Sequence, residues 1–235
     1  MDEGLLMGDT TIKETDFNKK QDQNSLIIRR EEPRDYRAVE EMVREAFYNL
    51  YVPGATEHYL VHTMREHPDF IPELDYVLEL HGEVIGNIMY TKAWLEASDG
   101  TKKEILTFGP LCVKKGYQRR GLGKKLMECS FSEAVRLGYD TVVIFGSPSN
   151  YVSSGFESCK KHQVSAAGGK YPAAMLVREL VPGTLSGKQW VYSDSPVMAV
   201  NEEAAARYDA AFPKLEKKHQ LSQEEFYILS RSFVE

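Results

Sequence analysis

From Ile105 to Phe156 the chain reads strand, glycine-rich turn, helix, strand, an order that leaves few folds open. Ile105 to Val113 is apolar and β-prone, and Gln118-Arg119-Arg120-Gly121-Leu122-Gly123-Lys124 follows directly. A helical pattern then continues to about Leu137, with Leu122, Leu126 and Cys129 on one side and Met127, Phe131 and Val135 on the other. Gly138 can close that helix in the left-handed conformation open to a residue without Cβ. Thr141 to Phe145 is an unbroken apolar run, as expected of a strand covered on both faces. Strand, crossover helix and strand in this order form a right-handed parallel unit.

Two glycines at the opening of a helix let backbone N–H groups converge on one spot with no Cβ in the way. With the helix macrodipole they form an anion site, and a diphosphate is its natural occupant. Two other glycine motifs fail here. A P-loop needs Lys and then Ser or Thr after its last Gly, but Leu122 follows Gly121. The dinucleotide fingerprint needs a third Gly where Leu126 stands.

Gln118-x-x-Gly121-x-Gly123 after a strand, with Tyr151-x3-Gly155-Phe156 beyond the next strand, resembles the GNAT superfamily of acyl-CoA-dependent N-acyltransferases. Gly109-Pro110-Leu111-Cys112-Val113 is similar to the strand that lies along the pantetheine arm in that family. The likeness spans Leu26 to Leu180 in element order and is motif-specific over Phe108 to Phe156. It implies an α/β fold, a central mixed sheet flanked by helices, and acetyl-CoA as co-substrate with no metal. The co-substrate would be held by Leu111, Cys112 and Val113 on the strand and by Gln118, Arg119, Arg120, Gly121, Leu122, Gly123 and Lys124 at the turn. The implied reaction is direct attack of a primary amine, on a small molecule or a peptide, on the thioester. The amide near Cys112 or Val113 would receive the oxyanion, and Tyr151 would act as general acid to the CoA thiolate.

One departure from the family concerns Tyr151. An Asn and an Ala often precede this Tyr in a longer helix, whereas Ser147-Pro148-Ser149-Asn150 abuts it here and shortens the start of that helix. The general base is open between Glu104, Glu79, Glu57 and a relay of waters. Cys112 has no matched His and reads as structural. Two other classes stand beside the enzyme: an acyl-CoA-binding sensor or regulatory module without turnover, and a pure interaction protein.

Around this unit, Ser25 or Leu26 to Arg30 reads as a first strand. Val39, Met42, Val43, Ala46 and Phe47 recur at helical spacing after Pro33 and Asp35, and a second helix runs from Thr56 or Glu57 to about Glu66. In the family this helix pair walls the acceptor pocket, which makes Tyr48, Tyr51, Glu57 and His58 candidates for contacting the amine. His58 and His62 share a helix face, but no third ligand converges with them in sequence. Asp75 to Leu80 and Val84 to Thr91 form a hairpin around His81-Gly82-Glu83. Beyond Tyr151 the sequence predicts a short helix, a strand near Gln163 to Ala166 and a strand from Ala173 to Leu180.

Three units follow: a mobile polar tail over residues 1–24, an acetyltransferase domain over 25–180, and a C-terminal helical extension over 181–235. The extension is capped at Asn201 and at a Ser222-x-x-Glu225 box and packs on the domain; a homodimer contact is its rival reading. A net charge of -6 argues against nucleic acid as an obligate partner. Three Cys without paired spacing, no apolar leader and no membrane span point to a cytoplasmic protein.

Overall fold

A computed structural model describes residues 25–235; the predicted tail over residues 1–24 lies outside them. The chain opens with β1 (Leu26–Arg30), α1 (Tyr36–Phe47) and α2 (Glu57–Met64). The sheet then builds through β2 (Tyr76–Leu80), β3 (Glu83–Ala97) and β4 (Lys102–Val113). Helix α3 (Leu122–Arg136) crosses over to β5 (Thr141–Phe145), and α4 (Pro148–Tyr151) follows. The remaining elements are β6 (Glu157–Ser158), β7 (Val164–Ser165), β8 (Met175–Glu179), β9 (Trp190–Ser193), α5 (Glu202–Asp209) and α6 (Leu221–Arg231).

Strand order is β1-β2-β3-β4-β5-β8-β6, with β9 beside β3 and β7. The fold is thus a mixed sheet flanked by helices. Strand β3 is long enough for two partners on one edge: its first half pairs with β2, and its last residues, Trp94 to Ala97, pair with Ser193 to Trp190 of β9. The predicted strand near 163–166 shortens to two residues, and α2 stops at Met64, two residues before the expected end.

Alternation along the strands sorts the core onto two faces. Leu78, Ile88, Tyr90 and Leu106 meet Leu126, Met127 and Phe131 of α3 on one side. Val77, Met89 and Cys112 meet Val39, Met42, Val43, Leu60 and Val61 of α1 and α2 on the other. Each such large apolar side chain contributes about 1.5–3 kcal/mol by leaving water. Phe156 is fully buried in the α3-side core, where it seats the segment after α4.

Two irregularities open the middle of the sheet. Leu106 pairs with Val142, and no later residue of β4 is registered with β5, so these parallel strands part toward their C-terminal ends. On the other edge of β4, Ile88 pairs with Leu111 and Tyr90 with Phe108. Gly109 and Pro110 therefore both oppose Met89, a bulge that bends β4 where the gap opens. Among the described residues no helix is long and apolar enough to cross a membrane.

Candidate active site

The parted strands form one side of a cleft of about 670 Å³. Phe108 to Val113 and Phe145 line its strand side, the turn from Tyr117 to Lys124 lines one end, and Phe47, Leu50, Tyr51, Glu57 and Leu60 line the other. Tyr151 stands between these ends on α4.

The glycine turn is built for an anion. Gly121 caps α3 with φ 77°, a conformation that favours a residue without Cβ, and no side chain caps the helix. The first-turn amides of Leu122, Gly123 and Lys124 therefore have no acceptor within the helix. At Gly123 an added Cβ would meet Leu111 and Val113 only at 3.7 and 3.8 Å, ordinary contact distances. Packing within the protein thus does not require glycine there, and its absence of side chain leaves the amides approachable. No acidic residue sits in the first turn of α3, and Arg119 and Lys124 line the same end of the cleft. These features fit the diphosphate of a CoA thioester.

Of the turn residues, Gln118 lines the cleft while its side chain braces β4, and Arg120 turns away. The Gln118 side chain donates to the Val113 carbonyl at 2.9 Å, tying the turn to β4. Arg120 lies over the Tyr117 ring at 5.5 Å and does not line the cleft.

Which amides of β4 face the gap follows from the ladder. The Lys114 amide donates to Ile85 of the neighbouring strand at 2.8 Å, and backbone groups alternate edges along a strand. The Cys112 amide therefore points to β3, while those of Leu111 and Val113 point to the gap. The bond from Gln118 to the Val113 carbonyl agrees with this alternation. The expectation of an oxyanion donor at Cys112 or Val113 accordingly shifts to Leu111 and Val113. The Cys112 thiol, buried, is pushed up to about 12 by burial and by Glu57, and stays a neutral packing group.

Of the carboxylates the sequence leaves open as base, one reaches the cleft. Glu79 pairs with Arg29 at 2.8 Å, and Glu104 accepts from Tyr139 and faces Lys92. Among the described residues Glu57 is the single acidic one lining the cleft, at the first turn of α2. Burial raises its carboxyl above the usual carboxylate value, while the Thr56 amide, 3.0 Å away, pulls the other way.

The Tyr151 hydroxyl is raised well above an ordinary phenol by burial and by Tyr51, so it keeps its proton. Its ring packs at 5.9 Å from Phe108 and 5.8 Å from Phe156. Pro148 takes the first position of α4 rather than obstructing it, so the four residues before Val152 are themselves the helix. Gly146, which sequence reading passed over, makes room for the ring: a Cβ there would stand 2.5 Å from Tyr151 Cε2.

Tyr51 lines the cleft together with Glu57, but the structure does not bring Tyr48 or His58 to it. Both turn to the C-terminal segment, which the sequence of the helices alone does not announce. Tyr48 donates to the Leu215 carbonyl at 3.0 Å. His58 is fully buried against Phe212 and Tyr208, its Nε2 3.2 Å from Asp209 but off the angle for a hydrogen bond. Among the described residues no group of three or more His, Cys, Asp and Glu side chains could hold a metal ion.

The profile of the Acetyltransferase (GNAT) family matches residues 44–156, a span that takes in the bulged strand, the glycine turn and Tyr151. Over those residues the chain carries a GNAT acetyltransferase domain. It is 30% identical over 122 residues to the uncharacterized N-acetyltransferase YjhQ of Escherichia coli K12, a match that takes in 51% of this chain and 62% of that relative, under two thirds of its length. Among solved structures it is similar to the GNAT family N-acetyltransferase YhbS of Escherichia coli in complex with CoA, with a TM-score of 0.64 at 24% identity over 74% of this chain and 92% of that one. A GNAT family acetyltransferase from Brucella melitensis in complex with acetyl-CoA aligns with a TM-score of 0.57 at 20% identity, over 74% and 97% of the two chains. The two solved structures speak to the fold.

Proposed function

We propose that this GNAT protein transfers an acetyl group from acetyl-CoA to a primary amine. The observation that carries this reading is the meeting, in one cleft, of an uncapped glycine-rich helix start, two free-edge amides of β4, a half-buried carboxyl and a half-buried phenol. Both solved structures named above hold CoA or acetyl-CoA, which supports the same ligand here.

Acetyl-CoA supplies an activated acyl group, whose C–S bond breaks as the amine nitrogen forms the amide C–N bond. Amides of residues 122–124 with Arg119 and Lys124 would hold the diphosphate. The Leu111 and Val113 amides face the gap, where one would run along the pantetheine arm and one would receive the oxyanion. Losing such a donor typically costs about 3–4 kcal/mol. Glu57, whose raised value brings it nearer to an amine's needs at neutral pH, takes the proton that the attacking nitrogen sheds. Tyr151 donates its phenolic proton to the departing sulfur. Aligning the two reactants is worth up to about 7–11 kcal/mol.

The rival sensor reading draws on a missing base and a shortened α4. Glu57 in the cleft and a helix that starts at Pro148 weigh against it. Thermal unfolding with and without acetyl-CoA, followed by thiol release over a panel of amines, tests the proposal. Stabilisation with thiol release is the expected result; stabilisation without release over the whole panel would return the sensor, and no stabilisation at saturation would remove the ligand.

A further inference from the structure

Behind the lining of the cleft's acceptor end lies a helix that the family span does not supply. Helix α6 is fixed at both ends to opposite sides of the opening. In its first turn Ser222 donates to the Leu50 carbonyl at 2.8 Å and Gln223 to the Asn49 carbonyl at 3.0 Å. Just past its last turn, the Ser232 carbonyl accepts from the Ala173 amide and the Val234 amide donates to Tyr171. That far anchor adjoins Ala174, whose carbonyl takes the Gly146 amide beside the lining residue Phe145. Between the anchors Phe226 of α6 lies 4.8 Å, ring to ring, from Tyr51, which itself touches Phe47 at 5.9 Å. The acceptor end is therefore lined by aromatic rings, and α6 braces Tyr51 from behind.

Charge at this end is sparse. Among the described residues Glu57 is the one carboxylate in the lining, and the basic lining residues sit at the glycine turn. A second ammonium group held here would find no carboxylate, and an unpaired charge taken out of water is heavily penalised. An apolar or aryl group would instead meet Phe47, Leu50, Tyr51 and Phe145.

Resting on the acetyl-transfer reading, we infer that the acceptor is a small primary monoamine carrying one apolar or aryl substituent. Glu57 receives the amine, the ring group lies against Tyr51 and Phe47, and a lining with one carboxylate disfavours polycations and polar peptide ends. In the transfer itself the amine nitrogen bonds to the acetyl carbon as the C–S bond breaks. The nitrogen's proton goes to Glu57, and the thiolate takes one from Tyr151.

The test is steady-state kcat/KM of the full chain with acetyl-CoA and four acceptors: 2-phenylethylamine, ethylamine, spermidine and a short peptide with a free α-amine. The phenyl compound should exceed each of the others by about tenfold or more, in the range that apolar pockets discriminate. Tyr51→Leu, at a half-exposed position that folding tolerates, should cut the phenyl-over-ethyl ratio by several-fold and leave the Kd for acetyl-CoA unchanged. Spermidine or the peptide as the best acceptor would overturn the inference while leaving acetyl transfer standing. Acetyl-CoA bound but none of the four amines acetylated would overturn it too. Failure of acetyl-CoA to bind would instead overturn the reading on which it rests.

Discussion

Glu57→Gln keeps the shape of the side chain and removes its capacity to take a proton. The variant should lose about 10²–10⁴ in kcat/KM and keep its affinity for acetyl-CoA. Because burial raises the Glu57 carboxyl, its charged form is the costly one, so the Gln variant should unfold no lower than the parent at neutral pH. In the parent, kcat/KM should fall as pH drops through a carboxyl value above the ordinary range. A variant retaining full activity would return the proton to a water relay. Gly146 acts on Tyr151 through space rather than chemistry: Gly146→Ala sets a methyl into the ring and must push it aside. Gly146→Ala and Tyr151→Phe should each lower kcat, and the double variant should lose little beyond the worse single one. Additive losses would separate the two residues.

At the scale of elements, the site depends on a bulge, a helix start and a brace. Each places backbone or rings without contributing a catalytic side chain. The brace has a measurable signature. Gln223 is buried and donates to both Asn49 and Lys218 carbonyls, and Asn49 in turn accepts from the Gly54 and Lys218 amides. Gln223→Ala leaves those carbonyls unpaired and frees the turn that carries Tyr51. The expected outcome is a several-fold higher KM for the amine with the acetyl-CoA KM unchanged; equal effects on both substrates would mean α6 supports the whole cleft rather than its acceptor end. The same helix corrects a local expectation. Ser222-x-x-Glu225 reads as a capping box, yet α6 begins at Leu221 and the Ser222 hydroxyl is spent on Leu50. Asn201, by contrast, caps α5 as its type suggests, accepting from the Ala204 amide at 2.9 Å.

Across the whole molecule the C-terminal segment is tied to the first two helices by buried charge. Arg44 donates to Asp209 at 2.6 Å, and Tyr208 donates to Glu40 at 2.7 Å while its ring stacks on His62. His58, enclosed there with Asp209, Arg44, Glu40 and Arg37 as its charged neighbours, is pushed down to about 4 by burial. A lowered histidine favours folding while neutral, so its contribution is complete above its ordinary value of 6.5 and is lost as pH falls from there toward 4. Urea midpoints between pH 7 and pH 4.5 should decline, with at most about 1.4 kcal/mol per pH unit from this group, and His58→Phe should flatten the decline. An identical decline in the variant would place the acid sensitivity elsewhere.

What could be read from sequence was local. The strand–turn–helix–strand unit rests on neighbours in the chain, so Gly121, Gly123 and Tyr151 were visible at once. Glu57 among three candidate carboxylates, the room that Gly146 leaves, the turning away of Tyr48 and His58, and the pairing of β9 with β3 all depend on partners far along the chain. Periodicity carries no information about such partners. The edge to which each β4 amide points likewise needed the register with β3, which the Gly109-Pro110 bulge sets.

The central claim is that amides at the start of α3 hold the paired phosphates of the co-substrate. Hydrogen exchange followed by mass spectrometry, with and without saturating acetyl-CoA, reads those amides directly. The account predicts that residues 119–124 become strongly protected, together with Leu111 and Val113. Binding that protects other segments and leaves residues 119–124 exchanging as before would contradict it.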